Sequence, residues 1–324
     1  MIATSPDPLG GSGVPSLVCN VRSTSQIAVD LKGGVVATTF VSQGVVTITV
    51  PGDEQRFGAG LCINVAGADP KPFRKVVQLV GGSVGINNAG KVVVPVSVAG
   101  LPGTFAAYVD PSQPNAVTVL ATHRLEPIFT IGMDGTYYST DGSIVRVTQP
   151  SGVSVILAGV SAGPNVATVP ADGIGTAARF SKITGIAVNA QGEVYVADNG
   201  TAIRKVSSAG VVTTLVGSLL EEGALDGTGS LARFDGLHSV VVDRAGNIYA
   251  SDTGNTTIRK ITPQGVVTTV AGQLRYVGYF FASLPGLIGH PRALAIDAAD
   301  MLYVVVTPLP NEPFGDVQIL KIKF

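Results

Sequence analysis

Residues 172–180 read DGIGTAARF, and residues 226–234, 54 positions later, read DGTGSLARF. The match continues past the loop. Residues 186–198 (IAVNAQGEVYVAD) align with 240–252 (VVVDRAGNIYASD) at the same offset, and after one inserted residue 203–217 (IRKVSSAGVVTTLVG) aligns with 258–272 (IRKITPQGVVTTVAG). A recurrence this long is a repeated structural unit rather than a short motif. Within one unit, GIAV runs into a turn ending at Gly192, then EVYVAD, a polar loop, AIRKV, a turn at Gly210, and VVTTLV. Alternating apolar residues punctuated by turn glycines predict four short antiparallel strands, which is one blade of a β-propeller.

Fainter copies extend the pattern in both directions. Residues 129–159 (FTIGMDGTYYSTDGSIVRVTQPSGVSVILAG) fit with Tyr138 at the place of Tyr195 and Gly152 at that of Gly210. Residues 292–324 supply two strands and then QILKIKF, stopping one strand short of a blade. Upstream, residues 83–121 and 25–65 keep the valine alternation and turn glycines without the loop motif. The 324 residues therefore divide into six units of 54. The strand missing at the C-terminus has a donor in SLVCNV, Ser16 to Val21, which would close the ring and hide two otherwise open blade edges. The expected fold is all-β: a six-bladed propeller of four-stranded antiparallel blades over residues 15–324, preceded by an extended arm over residues 1–14.

Composition agrees and narrows the function. The chain is 45% hydrophobic with only 13% charged residues and 41 glycines, which excludes disorder and favours many strands joined by tight turns. Balanced charge, net −1, gives no global field for nucleic acid or an anionic membrane. Two cysteines, Cys19 and Cys62, make neither a disulfide scaffold nor a zinc site; they are read as buried free thiols, with mutual pairing as the alternative. The first residues carry no basic and apolar leader, and the long uncharged runs at 92–109 and 147–171 contain Pro and Gly with strand alternation, so no membrane insertion is expected.

The loop DGxGxxARF followed by GIAV, VYVAD, IRKV and VVTTLVG resembles the NHL repeat, closely over residues 172–272 and faintly before His123. The resemblance implies a six-bladed propeller. It does not fix function, because NHL-like proteins include RNA binders, protein-binding sensors and lyases.

Each repeated residue has a structural reading. Phe180 and Phe234 are expected to wedge between blades, with Arg179 and Arg233 pairing a loop carboxylate, and Tyr195 and Tyr249 packing along the second strand. Asp198 and Asp252 end that strand and are expected to cap turns or to bind Arg204 and Arg259. Arg179, Lys182, Arg233, His238 and Arg292 all lie near the start of an innermost strand, so they form the candidate interaction rim. NHL-like RNA binders use such a rim, but with more basic charge and interleaved aromatics; here aromatics are 6% and Trp is absent, which argues against nucleic acid. The NHL-like lyases hold zinc with several His, whereas His123, His238 and His290 fall at three different levels, so no metal or cofactor is expected. Asp30, Asp243 and Asp297 sit at the wrong end of the strand for a lactonase-like site, and no nucleophile, base and orienting group converge, so no catalytic residue is assigned.

The function expected is a non-enzymatic structural or protein-interaction propeller. Its partners would be other protein chains of an assembly, contacted through the arm from Met1 to Gly13, whose composition cannot order itself. An unexported, charge-poor β protein with such an arm suggests a bacteriophage virion, as a tail or head-surface component, with the cytoplasm as the other location. The alternative is a soluble ligand, glycan or RNA binder using the cationic rim, with a channel lyase or lactonase behind it.

Overall fold

The computed structural model describes residues 16–21, 24–29, 35–39, 44–46, 77–79, 83–98, 102–110, 113–161, 169–273, 286, 288–307 and 317–324. The arm, Asp30, the Cys62 position and the Cys19 side chain lie outside the described residues.

The chain opens with β1 (Ser16–Val21), and six antiparallel sheets are distinguished. The first comprises β2 (Thr24–Val29), β3 (Val35–Thr39) and β4 (Gly44–Val46). In the second, β5 (Val77–Leu79) and β6 (Gly85–Ile86) both pair with β7 (Val92–Val98), followed by β8 (Thr104–Asp110) and β9 (Gln113–Arg124). The third is β10 (Ile128–Ile131), β11 (Tyr137–Thr140), β12 (Ile144–Thr148) and β13 (Ser154–Gly159). The fourth has β14 (Gly173–Ile174), β15 (Ile183–Val188), β16 (Val194–Asp198), β17 (Ala202–Val206) and β18 (Val211–Gly217). The fifth repeats it with β19 (Gly227–Thr228), β20 (Leu237–Val242), β21 (Ile248–Asp252), β22 (Thr257–Ile261) and β23 (Val266–Gly272). The sixth is β24 (His290–Ile296), β25 (Leu302–Thr307) and β26 (Val317–Ile322), completed by β1.

Innermost strands meet in a closed circuit: β2 lies against β24, β24 against β20, β20 against β15, β15 against β10, β10 against β6, and β6 against β2. Six blades thus surround one axis. Closure comes from β1, which pairs antiparallel with β26 from Ser16 opposite Lys321 to Val21 opposite Val317. The first and last parts of the chain therefore share one blade, as the SLVCNV segment predicts.

The strand count per blade departs from a uniform four. The first blade has three strands among the described residues; the second has five because β5 and β6 both pair with β7, and the fourth and fifth each gain a fifth at the outer edge. In the fourth and fifth blades the extra strands are the DG segments themselves: Gly173–Ile174 pairs with the outer edge of β18, and Gly227–Thr228 with that of β23. Each then crosses a short 3-10 turn, Gly175–Ala177 or Gly229–Leu231, and returns inward to its innermost strand. A repeat loop that appears in sequence as a mere connection is thus also an edge cover.

Packing between blades explains the repeat's apolar residues. Phe180 is buried among Val145 and Ala158 of the third blade and Ile183, Ile186 and Val194 of the fourth. Phe234 occupies the same seam one blade on, among Ala197, Ile203 and Val216 on one side and Leu237, Val240 and Ile248 on the other. Gly217 makes the seat: its φ is +93°, and a Cβ there would lie 2.3 Å from the Thr201 carbonyl oxygen and 3.1 Å from the Phe234 ring. Any side chain would meet backbone on one side and the wedge on the other. Tyr195 and Tyr249 are buried on β16 and β21, with Tyr249 stacked on Phe324 at 5.3 Å between ring centroids.

Candidate functional site

The repeated charged residues form a clamp inside each of the fourth and fifth blades. A bulge between the third and fourth strands turns Arg204 and Arg259 inward, where both are fully buried. Arg204 donates from Nη1 to Asp198 at 2.9 Å and from Nη2 to Asp172 at 2.9 Å, and also to the carbonyls of Arg179 and Ala171. Its guanidinium lies over the Phe180 ring, 4.9 Å from the centroid. Arg259 repeats every contact with Asp252, Asp226, the carbonyls of Arg233 and Leu225, and the Phe234 ring. Asp198 also accepts the backbone N–H groups of Ser181 and Lys182, and Asp252 that of Asp235. The clamp therefore ties the DG strand, the ARF loop and the second and third strands into one body.

Burial raises the Asp252 carboxyl above its ordinary range, against the opposing pull of Asn255, the Asp235 N–H and Arg259. An elevated carboxyl is often a sign of catalysis, but here an arginine on the same blade and a buried asparagine take up Oδ2 and the Asp235 N–H takes up Oδ1. The clamp is structural chemistry.

Of the five candidate rim residues, two are tied back. The Arg179 guanidinium donates to the carbonyls of Thr176 and Ala178 of its own loop, and among the described residues no loop carboxylate pairs with it. Arg233 does the same with Ser230 and Ala232, and also pairs with Glu221. Lys182 and Arg292 are exposed, while His238 is half-buried on β20. Arg292 and His238 are brought together electrostatically. Burial first, and the Arg292 charge second, lower the His238 pKa to about 4, so the ring is neutral at pH 7. Its Nδ1 is buried and meets no hydrogen-bond partner among the described residues. Thr184, the equivalent of His238 on β15, instead donates to the Leu237 carbonyl at 2.9 Å.

The other histidines lie elsewhere. His123 bonds Thr122 and the Pro150 carbonyl, and His290 approaches the Thr253 carbonyl at 3.4 Å. Among the described residues, no three His, Cys, Asp or Glu side chains gather closely enough to hold a metal ion. Asp243 and Asp297 accept backbone N–H groups at the turn after the innermost strand, as do Asn87 and Asn189 in their blades. Those four recurrent positions are turn formers. No helix among the described residues is long and apolar enough to cross a membrane.

Sequence reasoning did not register the outer rim as a surface. Val153, Val155 and Ile156 beside β12, Ile174 on β14, Val211 on β18, Leu231 and Val266 are all exposed, along the outer edges of three consecutive blades. The signal was present in the sequence: in a fourth strand that forms an edge, one side of the alternation has no neighbouring blade to cover it.

Residues 165–224 match the family model of the teneurin NHL domain, a stretch that spans the fourth blade and its incoming loop. No curated protein matches the chain. Among solved structures, a protein of unknown function from Bacteroides thetaiotaomicron aligns with TM-score 0.68 at 14% identity, covering 96% of this chain and 76% of that one. An auxiliary nutrient binding protein from Bacteroides ovatus aligns with TM-score 0.59 at 16% identity over 95% and 76%. A gluconolactonase from Xanthomonas campestris aligns with TM-score 0.56 at 11% identity over 96% and 89%. At such identities the likeness is one of fold.

Proposed function

We propose that this β-propeller, whose residues 165–224 match the model of an NHL domain, is a non-catalytic interaction propeller, a subunit that holds protein partners on its outer rim. The observation that carries this reading is the run of exposed aliphatic residues from Val153 to Val266 across the outer edges of three blades. Apolar surface gathered over neighbouring elements marks an interaction site more than scattered exposed residues do. The repeated ion pairs, by contrast, are consumed within their own blades and leave no reactive group unassigned in the clamp. The narrower placement in a virion comes from the composition of the arm and gains nothing from the comparisons.

A second reading has one observation in its favour. Neutral, half-buried His238 with an unsatisfied Nδ1 beside exposed Arg292 is a small polar and cationic site of the kind that a soluble ligand binder uses. The nutrient-binding structural neighbour is compatible with that use. One experiment separates the two. A photo-crosslinking amino acid is placed at Val155, at Ile174 or at Arg292 in the cells that make the protein. Discrete protein adducts from the first two positions and none from Arg292 are expected. Adducts confined to Arg292, or turnover of a lactone that disappears in His238→Ala, would overturn the proposal.

A further inference from the structure

The third blade carries half of a docking site that the fourth and fifth blades fill from their own chain. In those two blades, the outer strand receives a two-residue strand in antiparallel register, Gly173 opposite Val212 and Ile174 opposite Val211, or Gly227 opposite Val267 and Thr228 opposite Val266. The aspartate just before it anchors the junction. Asp172 accepts the Thr214 N–H at 2.9 Å, the Thr214 hydroxyl at 3.0 Å and Arg204 Nη2 at 2.9 Å. Asp226 accepts the Thr269 N–H at 3.0 Å, the Thr269 hydroxyl at 3.1 Å and Arg259 Nη2 at 2.7 Å.

The receiving half recurs on β12 and β13. Arg146 stands opposite Ile156 beside a bulge after Val145, as Arg204 stands opposite Thr214 after Ile203 and Arg259 opposite Thr269 after Ile258. Yet among the described residues β13 pairs only with β12, and Val153, Val155 and Ile156 along it are 56%, 52% and 45% exposed. The donor cannot come from the same place in the chain. Only Leu125, Glu126 and Pro127 separate β9 from β10, whereas the segments 160–182 and 218–236 that enter the next two blades have room to lay a strand and cross back. Among the described residues Arg146 pairs with Glu126 and with no second carboxylate in the place that Asp172 takes on Arg204. Its Nε donates to Glu126 at 2.9 Å, its Nη1 lies 3.4 Å from the Ser154 hydroxyl, and its Nη2 meets no described partner.

We propose that the outer edge of β13 is a β-augmentation site for an extended acidic segment of a partner protein, an aspartate followed by a small residue. The segment adds antiparallel at Val153 and Ser154, and its carboxylate is received by the Ile156 N–H and the Arg146 guanidinium. This rests on the interaction-propeller reading and names the chemistry of one of its partners. Main-chain pairing supplies the docking, and the charge-assisted bond to Arg146 supplies the selection for an acidic residue. Ile156 in place of Thr214 removes the hydroxyl donor and offers apolar contact instead, so the partner's residue beyond the edge would be aliphatic.

The test uses the full chain and a capped synthetic peptide, Pro-Ala-Asp-Gly-Ile-Gly-Thr, which copies residues 170–176. Methyl-detected NMR with peptide up to roughly 5 mM covers the weak affinity expected of one short strand. Saturable shifts should appear at Val153, Val155 and Ile156. Changing the peptide's Asp to Asn, or Arg146→Gln in the protein, should weaken binding tenfold or more, while Ile174→Lys should not. The peptide change keeps the test sound if Arg146→Gln disturbs folding. Absence of shifts at β13, or equal binding of the Asn peptide, overturns the inference. Rim crosslinks from Ile174 persisting in that case would leave the broader reading standing; their absence would remove both.

Discussion

Replacing Arg259 by Leu should be far more damaging than replacing Arg259 and Asp252 together. Both side chains are fully buried and 2.7 Å apart, so the single change strands a buried carboxylate whose ion-pair partner is gone. Breaking one side of a buried pair costs about 3–5 kcal/mol. The protein itself contains the apolar alternative. In the sixth blade the positions of Phe234, Asp252 and Arg259 are taken by Ile288, Val306 and Leu320, all buried in one cluster with Tyr249 and Leu294. Arg259→Leu with Asp252→Val copies that arrangement and removes the stranded charge. The double variant still leaves the carbonyls of Leu225 and Arg233 without their donor and the Asp235 N–H without its acceptor, about 1–3 kcal/mol for a group that stays buried, while Asn255 keeps its bond to the Gly223 carbonyl and half-exposed Asp226 turns to water. The double variant is therefore expected to recover about 2 kcal/mol relative to Arg259→Leu, measured by urea unfolding followed by circular dichroism at pH 7. The pH dependence has a definite sign. Asp252 has a folded pKa raised above the unfolded value of 3.8, so its contribution is complete below 3.8 and is lost as pH rises through the folded value. Removing Arg259 raises that value further, so the single variant should gain stability relative to wild type as the pH is lowered from 7, and the double variant should not. A single variant within 1 kcal/mol of wild type, or a double variant no better than the single, would refute the view of the clamp as a buried but replaceable core.

Phe234→Ala empties the seam between the fourth and fifth blades and should cost about 3–5 kcal/mol, read from the same denaturation curves; a loss below about 1 kcal/mol would mean that the blades meet elsewhere. His238 has its pKa lowered from 6.5 to about 4, so folding favours the neutral ring and stability should fall as pH drops from 6.5 through 4. His238→Gln should flatten that limb of the pH–melting profile, and an unchanged profile would place the ring in water.

The repeat legible between residues 172 and 272 was enough for the fold, because a blade is local: its four strands are consecutive, and turn glycines with valine alternation specify it without distant information. Closure by Ser16–Val21 was legible too, since a blade one strand short needs a donor and only one unassigned strand preceded the first unit. The wedge of Phe180 and Phe234 followed from recurrence at a seam. What sequence could not give was which side of a shared motif each atom serves. The two residues after Asp172 read as loop because two residues carry no periodicity, and only the position of β18 makes them a strand. The rim arginines looked alike as a list of charges, yet Arg179 and Arg233 spend their guanidinium groups on their own loops while Arg292 presses on His238. Those distinctions depend on distances of a few ångströms between segments tens of residues apart, and long-range contact is the quantity that periodicity and spacing do not encode. The bare edge of β13 is the same case: Arg146 repeats Arg204 in sequence, and only the tertiary structure decides that nothing in the described chain completes it.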